Sequence, residues 1–340
     1  MKKKLLIIGS SSVHVYNYIA LIQDYFDEIL LITNEKRAQS DIDTVVINFH
    51  LNLKTFSAIR TVAAVAQEFN PSHIHIHQAN SYGLIGVLGL RKCSAPIVLS
   101  AWGSDILVSP KKSIIHKKML EYILNRIDIV TSDSLHMANE IKLYNANIHV
   151  ALANFGIEIP EDRIEKENII YSNRLHNDLY NIDKIIHAFY KFSLLNKEWK
   201  LIIGAIGSNT EKLKKIVHEF GLDDKVEFIG WVDTKLNNEI YKKAKIYISI
   251  PDSDATSISL LEAVANDCIC FVSNLPSNCE HILDGINGFI EANKNAIDLQ
   301  KFEKINLNLL SDVNRIRKYS YEKSTNREVF LNIYNQLQGV

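Results

Sequence analysis

Short apolar runs alternate with helix-period stretches along nearly the whole chain, and this alternation restricts the fold more than any other feature. Lys4-Leu-Leu-Ile-Ile-Gly9 is apolar at consecutive positions and ends at glycine, the pattern of a strand buried on both faces of a parallel sheet. The first half continues in kind. Strands are expected at Glu28–Thr33, Thr44–Ile47, His73–His77, Pro96–Ser100, Ile127–Ser132 and Ile148–Leu152, with helices at Val15–Tyr25, Leu53–Phe69, Ser81–Arg91, Ser113–Asn125 and Ser134–Tyr144. A charged stretch of little periodicity, Asn154 to about Lys166, reads as a linker. A second set follows, with strands at Asn168–Tyr171, Trp199–Ile203, Val226–Ile229, Lys245–Pro251 and Ile269–Val272. Its helices are Ile182–Leu194, Thr210–Phe220, Leu236–Ala244 and the stripe Leu260, Leu261, Ala263 and Val264. An element at Glu280–Leu283, the turn Asp284–Gly288 and helical segments complete it, with no strand read after the turn. Such alternation implies right-handed crossovers and an α/β chain of two Rossmann-like, doubly wound parallel sheets. A length of 340 residues suits two domains. They are expected at 1–155 and 156–320, with a helix at 321–340 crossing back to the first.

Composition narrows the functional classes. A net charge of −1 gives no electrostatic case for nucleic acid. The halves differ mildly: residues 1–155 carry 15 Lys+Arg against 12 Asp+Glu (+3), the rest 23 against 27 (−4), so the first half better suits an anionic surface. Cys93, Cys268, Cys270 and Cys279 lack metal-type spacing and read as reduced thiols. Met1-Lys-Lys-Lys is followed by an apolar run too short for a signal peptide, and no run approaches a membrane span, so a cytoplasmic location is expected.

In doubly wound sheets ligands sit beyond the carboxyl ends of strands. The loop with the most chemistry there is Asp254-Ala-Thr-Ser-Ile-Ser-Leu-Leu-Glu262, between a strand and a helix N-terminus. Free N–H groups at such a terminus bind phosphate. Carboxylates on either side suit a ligand with a central phosphate and hydroxyls at both ends, as in a nucleotide-sugar. The plainer reading is a helix capped by Asp254 or Ser257. Arg174 also follows a strand, where its fork could pair with phosphate or simply face solvent. Gly230-Trp231 could flank a base, or Trp231 could be core. In the first half the loops Ser10–Ser12, Gln78–Asn80 and Trp102–Asp105 fall at strand ends. Asp105 is either a cleft carboxylate or the cap of the next turn. His73, His75 and His77 share one strand face; a metal site is not expected, and His77, nearest the carboxyl end, is expected to border a cleft. The segment 111–126 is basic on one side and apolar on the other, which suits either a solvated helix or an anionic membrane.

With these residues in view, the chain resembles a GT-B glycosyltransferase close to glycosyltransferase family 4, over nearly its whole length. Asp254-x7-Glu262 is similar to that family's Glu-x7-Glu, and Asn173-Arg-Leu175 to its Gly-Arg-Leu. Phe228-Ile-Gly-Trp-Val232 matches its base-binding turn, and Asp284–Gly288 its Asp-Gly-x-Asn-Gly turn. Asn154-Phe-Gly156 is similar to its Asn-Gly linker, and Trp102-Gly-Ser-Asp105 to its His-Gly-x-Asp. The resemblance implies a retaining, metal-independent transfer from a nucleotide-sugar, without a cofactor, to a glycan or lipid-linked glycan in bacterial capsule or O-antigen synthesis. It implies catalytic roles for Arg174, Asp254 and Asp105. It implies donor contacts from Arg174, Tyr180, Gly230, Trp231, Val232, Thr256, Ser257, Ile258, Ser259 and Glu262. Ser10, Ser11, His77, Trp102 and Asp105 would lie on the acceptor side. Three departures stand out: Asp254 is one methylene shorter than glutamate, Tyr180 stands where a lysine is usual, and Trp102 stands where a histidine is usual. They keep two alternatives open, a GT-B nucleotide-sugar epimerase and a non-catalytic GT-B binding subunit.

Overall fold

The computed structural model describes residues 2–38 and 40–337. The chain divides into two compact units, 1–156 together with 323–340, and 157–322.

The first unit is built on seven parallel strands: β1 (Lys4–Ile8), β2 (Glu28–Thr33), β3 (Asp43–Val46), β4 (His73–His77), β5 (Ile97–Ser100), β6 (Ile129–Ser132) and β7 (His149–Leu152), in the order β3-β2-β1-β4-β5-β6-β7. The continuous apolar runs are explained by burial on both faces. Leu6 and Ile8 of β1 enter one core with the helices Thr55–Phe69, Ser81–Gly89, Ile114–Leu124 and Leu135–Tyr144. Leu5 and Ile7 enter the other, with the helices Val13–Ile22 and Lys323–Leu337. The final helix is thus part of the first unit. Its Phe330 and Tyr334 are fully buried, and Arg327 grips Asp24 with Nη2 at 2.8 and 2.7 Å from the two carboxylate oxygens.

The three histidines of β4 do share a face, and that face meets tyrosines. His75 Nδ1 lies 2.8 Å from the Tyr18 hydroxyl and 2.6 Å from that of Tyr334, while Nε2 lies 2.8 Å from Ser100 Oγ. His73 Nε2 lies 3.1 Å from the Tyr334 carbonyl oxygen.

The second unit has six parallel strands: β8 (Glu167–Ser172), β9 (Lys200–Gly204), β10 (Val226–Gly230), β11 (Ala244–Ser249), β12 (Ile269–Ser273) and β13 (Gly288–Glu291), in the order β10-β9-β8-β11-β12-β13. One element differs from expectation: a strand, β13, begins at the end of the turn Asp284–Gly288, after which none is read. The motif itself launches that strand. Asp284 Oδ1 accepts from Ile290 N–H at 2.8 Å and Asn287 Oδ1 from Leu283 N–H at 2.7 Å. Gly285 has φ +74°, and a Cβ on Gly288 would overlap the Cys270 carbonyl. The four cysteines are free thiols.

The histidine face carries a pH dependence. Burial pushes His73, His75 and His77 below the ordinary imidazole range, His77 to about 3. Between about pH 6.5 and about 3 the unfolded chain therefore binds more protons than the folded one, and stability falls as pH falls. Hydrogen-exchange protection of β4 should be lower at pH 5 than at pH 7. His77→Leu should flatten that dependence and keep the protection seen at pH 7, because neither ring nitrogen of His77 has a hydrogen-bond partner among the described residues. An unchanged pH slope in the variant would exclude His77 as a source.

Candidate active site

In the second unit the strand order reverses between β8 and β11. Loops leaving neighbouring strands on either side of such a point diverge and leave a crevice. Arg174 leaves β8 there, and Asp254–Ser257 leave β11. The pairing Tyr171↔Tyr247 sets the two loops level.

The loops meet through Arg174. Its Nη2 donates to Asp254 Oδ2 at 2.6 Å, its Nη1 donates to Ser257 Oγ, and its guanidinium lies 4.5 Å from the centre of the Tyr180 ring. The pair is well covered, at 11% exposure for the arginine side chain and 19% for the aspartate. Burial opposes both charges. It raises Asp254 above the ordinary carboxylate range in spite of Arg174. Burial likewise weighs against the charged guanidinium, but Asp254, Tyr247 and Tyr180 together hold Arg174 above its ordinary value. The arginine is therefore a fixed cation.

Ser257 is the N-cap residue of the helix Ile258–Ala265, and its side chain makes no capping bond because its hydroxyl serves Arg174. The plainer reading of Ser257 or Asp254 as a conventional cap does not describe this loop. Thr256 and Ser257 are buried, Ile258 and Ser259 are partly covered, and Thr256 Oγ1 lies 3.5 Å from His281 Nε2. Ser277 Oγ donates to the Asp254 carbonyl at 3.2 Å, anchoring the loop from below.

Glu262 projects from the same helix into a polar network that sequence reasoning missed. Asn237 Nδ2 donates to Glu262 Oε2 at 3.0 Å, and Asn237 Oδ1 accepts from the Tyr171 hydroxyl at 2.7 Å and from Asn173 Nδ2 at 3.0 Å. The Tyr241 hydroxyl donates to the Ser259 carbonyl at 3.0 Å, and Asn173 Nδ2 also reaches that hydroxyl at 2.9 Å. Burial raises the pKa of Tyr171, Tyr241 and Tyr247, the last to about 12, so all three stay neutral donors. The available signal was Tyr171 near the end of the apolar strand β8 and Asn173 just after it.

Gly230 ends β10 at φ +68°, next to a bulge in the pairing with β9. Trp231 is 72% exposed, which rules out the core reading. Val232 is partly covered.

The first unit has its own switch point, between β1 and β4. Ser10 and Ser11 follow β1, and Ser11 N–H donates to Asn34 Oδ1 at 2.9 Å, an oxygen that also accepts from the Tyr82 hydroxyl at 3.0 Å. A neighbouring pocket is lined by Asn34, His50, Ser81 and Tyr82; sequence reasoning named none of these. Two acceptor-side expectations need correction. Asp105 is 3% exposed and takes the Ala79 N–H at 2.7 Å and the Trp102 N–H at 3.0 Å. It is not an open cleft carboxylate: it ties the loop after β4 to the loop after β5 and also accepts from backbone N–H groups of the turn Ser104–Val108. Burial raises its pKa and those backbone bonds oppose the rise. His77 does not border a cleft: it is fully buried, with Trp102 packed edge-on at 5.9 Å between ring centres. Trp102 is partly exposed and also meets His14 at 5.3 Å.

Two family models match the chain in tandem, "Glycosyl transferase 4-like" over residues 3–134 and "Glycosyl transferases group 1" over residues 157–323. An uncharacterized glycosyltransferase of Methanocaldococcus jannaschii is 22% identical over 312 residues, covering 86% of this chain and 83% of that protein. Anabaena HepE, solved in complex with UDP, superposes with a TM-score of 0.81 at 13% identity over the whole of both chains. The lipopolysaccharide outer core galactosyltransferase WaaB superposes with a TM-score of 0.73 at 13% identity, covering 98% of this chain and 99% of that one. With its two Rossmann-like sheets and both family models in order, the chain belongs to the GT-B glycosyltransferases of the family-4-like, group 1 type.

Proposed function

We propose that this glycosyltransferase moves a sugar from a nucleoside diphosphate to a hydroxyl of a bacterial surface glycan, with retention of configuration and without a metal or other cofactor. The observation that carries the reading is the buried Arg174 cation at the switch point, beside an N-terminal helix turn whose cap serine is turned towards it. The complexes of HepE with UDP and with UDP-glucose support a uridine nucleotide-sugar as donor. The donor's diphosphate would take over Arg174 from Asp254, releasing the carboxylate to sugar hydroxyls. Glu262, held by Asn237, would grip the ribose, and Gly230 with the exposed Trp231 would admit the base. As the glycosidic bond breaks, negative charge grows on the leaving phosphate beside Arg174. The phosphate oxygen takes the acceptor's proton, so no separate nucleophile is required. The acceptor is proposed to be a glycan or lipid-linked glycan of capsule or lipopolysaccharide, and the WaaB likeness supports that class.

We place the transfer at the cytoplasmic face of the membrane. Among the described residues no helix is long and apolar enough to cross a bilayer. Contact would come through the helix Ile114–Leu124 and the lysines before it. Ile114 and Ile115 are exposed beside Lys112 and Lys117, while Lys111 and Lys118 pair with Glu140 and Glu121. Neutralising all four lysines should abolish binding to anionic liposomes at low salt, each being worth about 1 kcal/mol near such a surface. A wild-type protein that ignores these liposomes sinks the contact.

A thermal-shift panel of nucleoside diphosphates and nucleotide-sugars identifies the donor, since a ligand at 100 times its Kd adds about 2.7 kcal/mol of stability. With that donor, Arg174→Ala should lower kcat by about 10²–10³, the scale of losing one preorganised donor. Arg174→Lys should recover little, because the two-pronged contact is lost. A near-normal kcat in Arg174→Ala refutes the leaving-group role. Turnover of the donor to an epimer without acceptor selects the epimerase, and binding without turnover selects a non-catalytic subunit.

Calorimetry tests Glu262 separately. Glu262→Ala should weaken nucleoside diphosphate binding by about 1.5–3 kcal/mol, the range for charged hydrogen bonds, with the fold intact. Unchanged affinity removes Glu262 from the site.

A further inference from the structure

We infer that the second unit carries another binding site, for a compact phosphate-bearing anion, in the pocket bounded by Arg163, Lys166, Lys242 and Lys318. It lies at the opposite edge of the sheet from Arg174. Lys166 immediately precedes β8, Asp267 shortly precedes β12, and Lys242 stands near the end of the helix Thr234–Lys243 that leads into β11. The pocket encloses about 300 Å³, enough for a small metabolite.

Its charges do not cancel. Four cations line it against two carboxylates, Asp162 and Asp267. Asp162 is exposed, and Glu161 and Glu165 of the same segment are exposed and outside the lining. Asp267 is shared: Arg163 Nη2 approaches one oxygen at 3.2 Å, Lys318 Nζ the other at 3.5 Å, and Asn314 Nδ2 donates to that second oxygen at 3.2 Å. Lys166 Nζ donates to the Tyr241 carbonyl at 2.8 Å, so no carboxylate answers it directly. Lys318 registers the crowding. Its side chain is 13% exposed. Burial first, and Arg163 and Lys166 with it, hold its pKa below the ordinary lysine value in spite of Asp267.

Two helix ends bear on the same space. The helix Ile258–Ala265 ends there with Ala265 and Asn266, and its partial negative charge offsets part of the excess. The 15-residue helix Leu307–Tyr321 begins there with Leu307, Asn308 and Ser311, and its partial positive charge restores it. A formal excess of two positive charges in a half-covered pocket matches a phosphate dianion. Arg163, held at the pocket by Ser311 through Nη1 and by Asp267 through Nη2, brings its charge to the anion.

The helix Ile258–Ala265 also gives the site a route to the chemistry. It starts at Ser257, which holds Arg174, and ends eight residues later at this pocket.

The test is calorimetric titration of the full chain with inorganic phosphate and, separately, with glucose 6-phosphate, at constant ionic strength in chloride. Wild type and Arg174→Ala should bind with equal Kd. Lys318→Met should weaken binding at least tenfold, and Arg163→Gln, at an exposed position, should weaken it severalfold. Tighter binding of the sugar phosphate identifies an organic phosphomonoester as the ligand, and equal binding identifies phosphate itself. Three results overturn the site: no binding by wild type, binding that survives both pocket variants, or binding that disappears in Arg174→Ala.

Discussion

The second unit is organised around a charge that burial disfavours. A guanidinium covered as Arg174 is loses most of its hydration, and one carboxylate, one hydroxyl and one aromatic face stand in for water. Removing one partner of such a pair typically costs about 3–5 kcal/mol, because the survivor is left uncompensated. That cost explains why the loops after β8 and β11 converge on a single side chain. It also gives the free protein a defined resting state, in which Asp254 screens the cation. A diphosphate carries more negative charge than one carboxylate and can take Asp254's place. Interactions that strengthen as charge develops are the ones that accelerate a reaction, so a cation fixed in advance is worth more here than a mobile one.

Tyr180 changes the character of that cation. A lysine there would add a second charge beside Arg174. The tyrosine instead lies against the guanidinium and supports its orientation. Net charge at the site is exchanged for precision of one group. The shorter Asp254 fits the same arrangement, since it reaches Arg174 at 2.6 Å directly from the loop. The two departures from the family pattern thus act on one side chain rather than as independent losses.

Much of the architecture was legible because burial on both faces of a parallel sheet leaves a direct mark, an unbroken apolar run such as Leu5–Ile8. β13 escaped because it starts within a glycine turn, so the turn signal hid the strand. Arg174, Asp254 and Ser257 could be named because position after a strand fixes which edge a loop occupies. What a loop side chain touches depends on a partner far away in sequence. Asp105 reads as a carboxylate near a cleft until Ala79 N–H is found on it, and Asn237 has no motif to betray that it holds Glu262. His77 misled for a related reason. The carboxyl end of a central strand is often open, but here Tyr18 and Trp102 close over it.

The two switch points differ in chemistry, and the difference has a physical sense. The one in the second unit holds an ion pair, the carboxylate Glu262 and a ring of neutral tyrosine donors. The one in the first unit presents serines, Asn34, Tyr82 and Trp102, and its buried carboxylate, Asp105, is taken up by backbone N–H groups, while Glu35, Lys36, Arg37 and Asp41 line a pocket beside Ser11. In the proposed transfer, a departing diphosphate would need fixed charge, and an incoming hydroxyl that gives its proton to the leaving group would need only orientation. Buried charge is costly to maintain, so a chain that performs this transfer gains nothing by placing it in both units. On the proposed reading, the buried pair Arg174 and Asp254 stands where the leaving group's charge would be handled, and the buried carboxylate of the first unit, Asp105, serves the backbone instead.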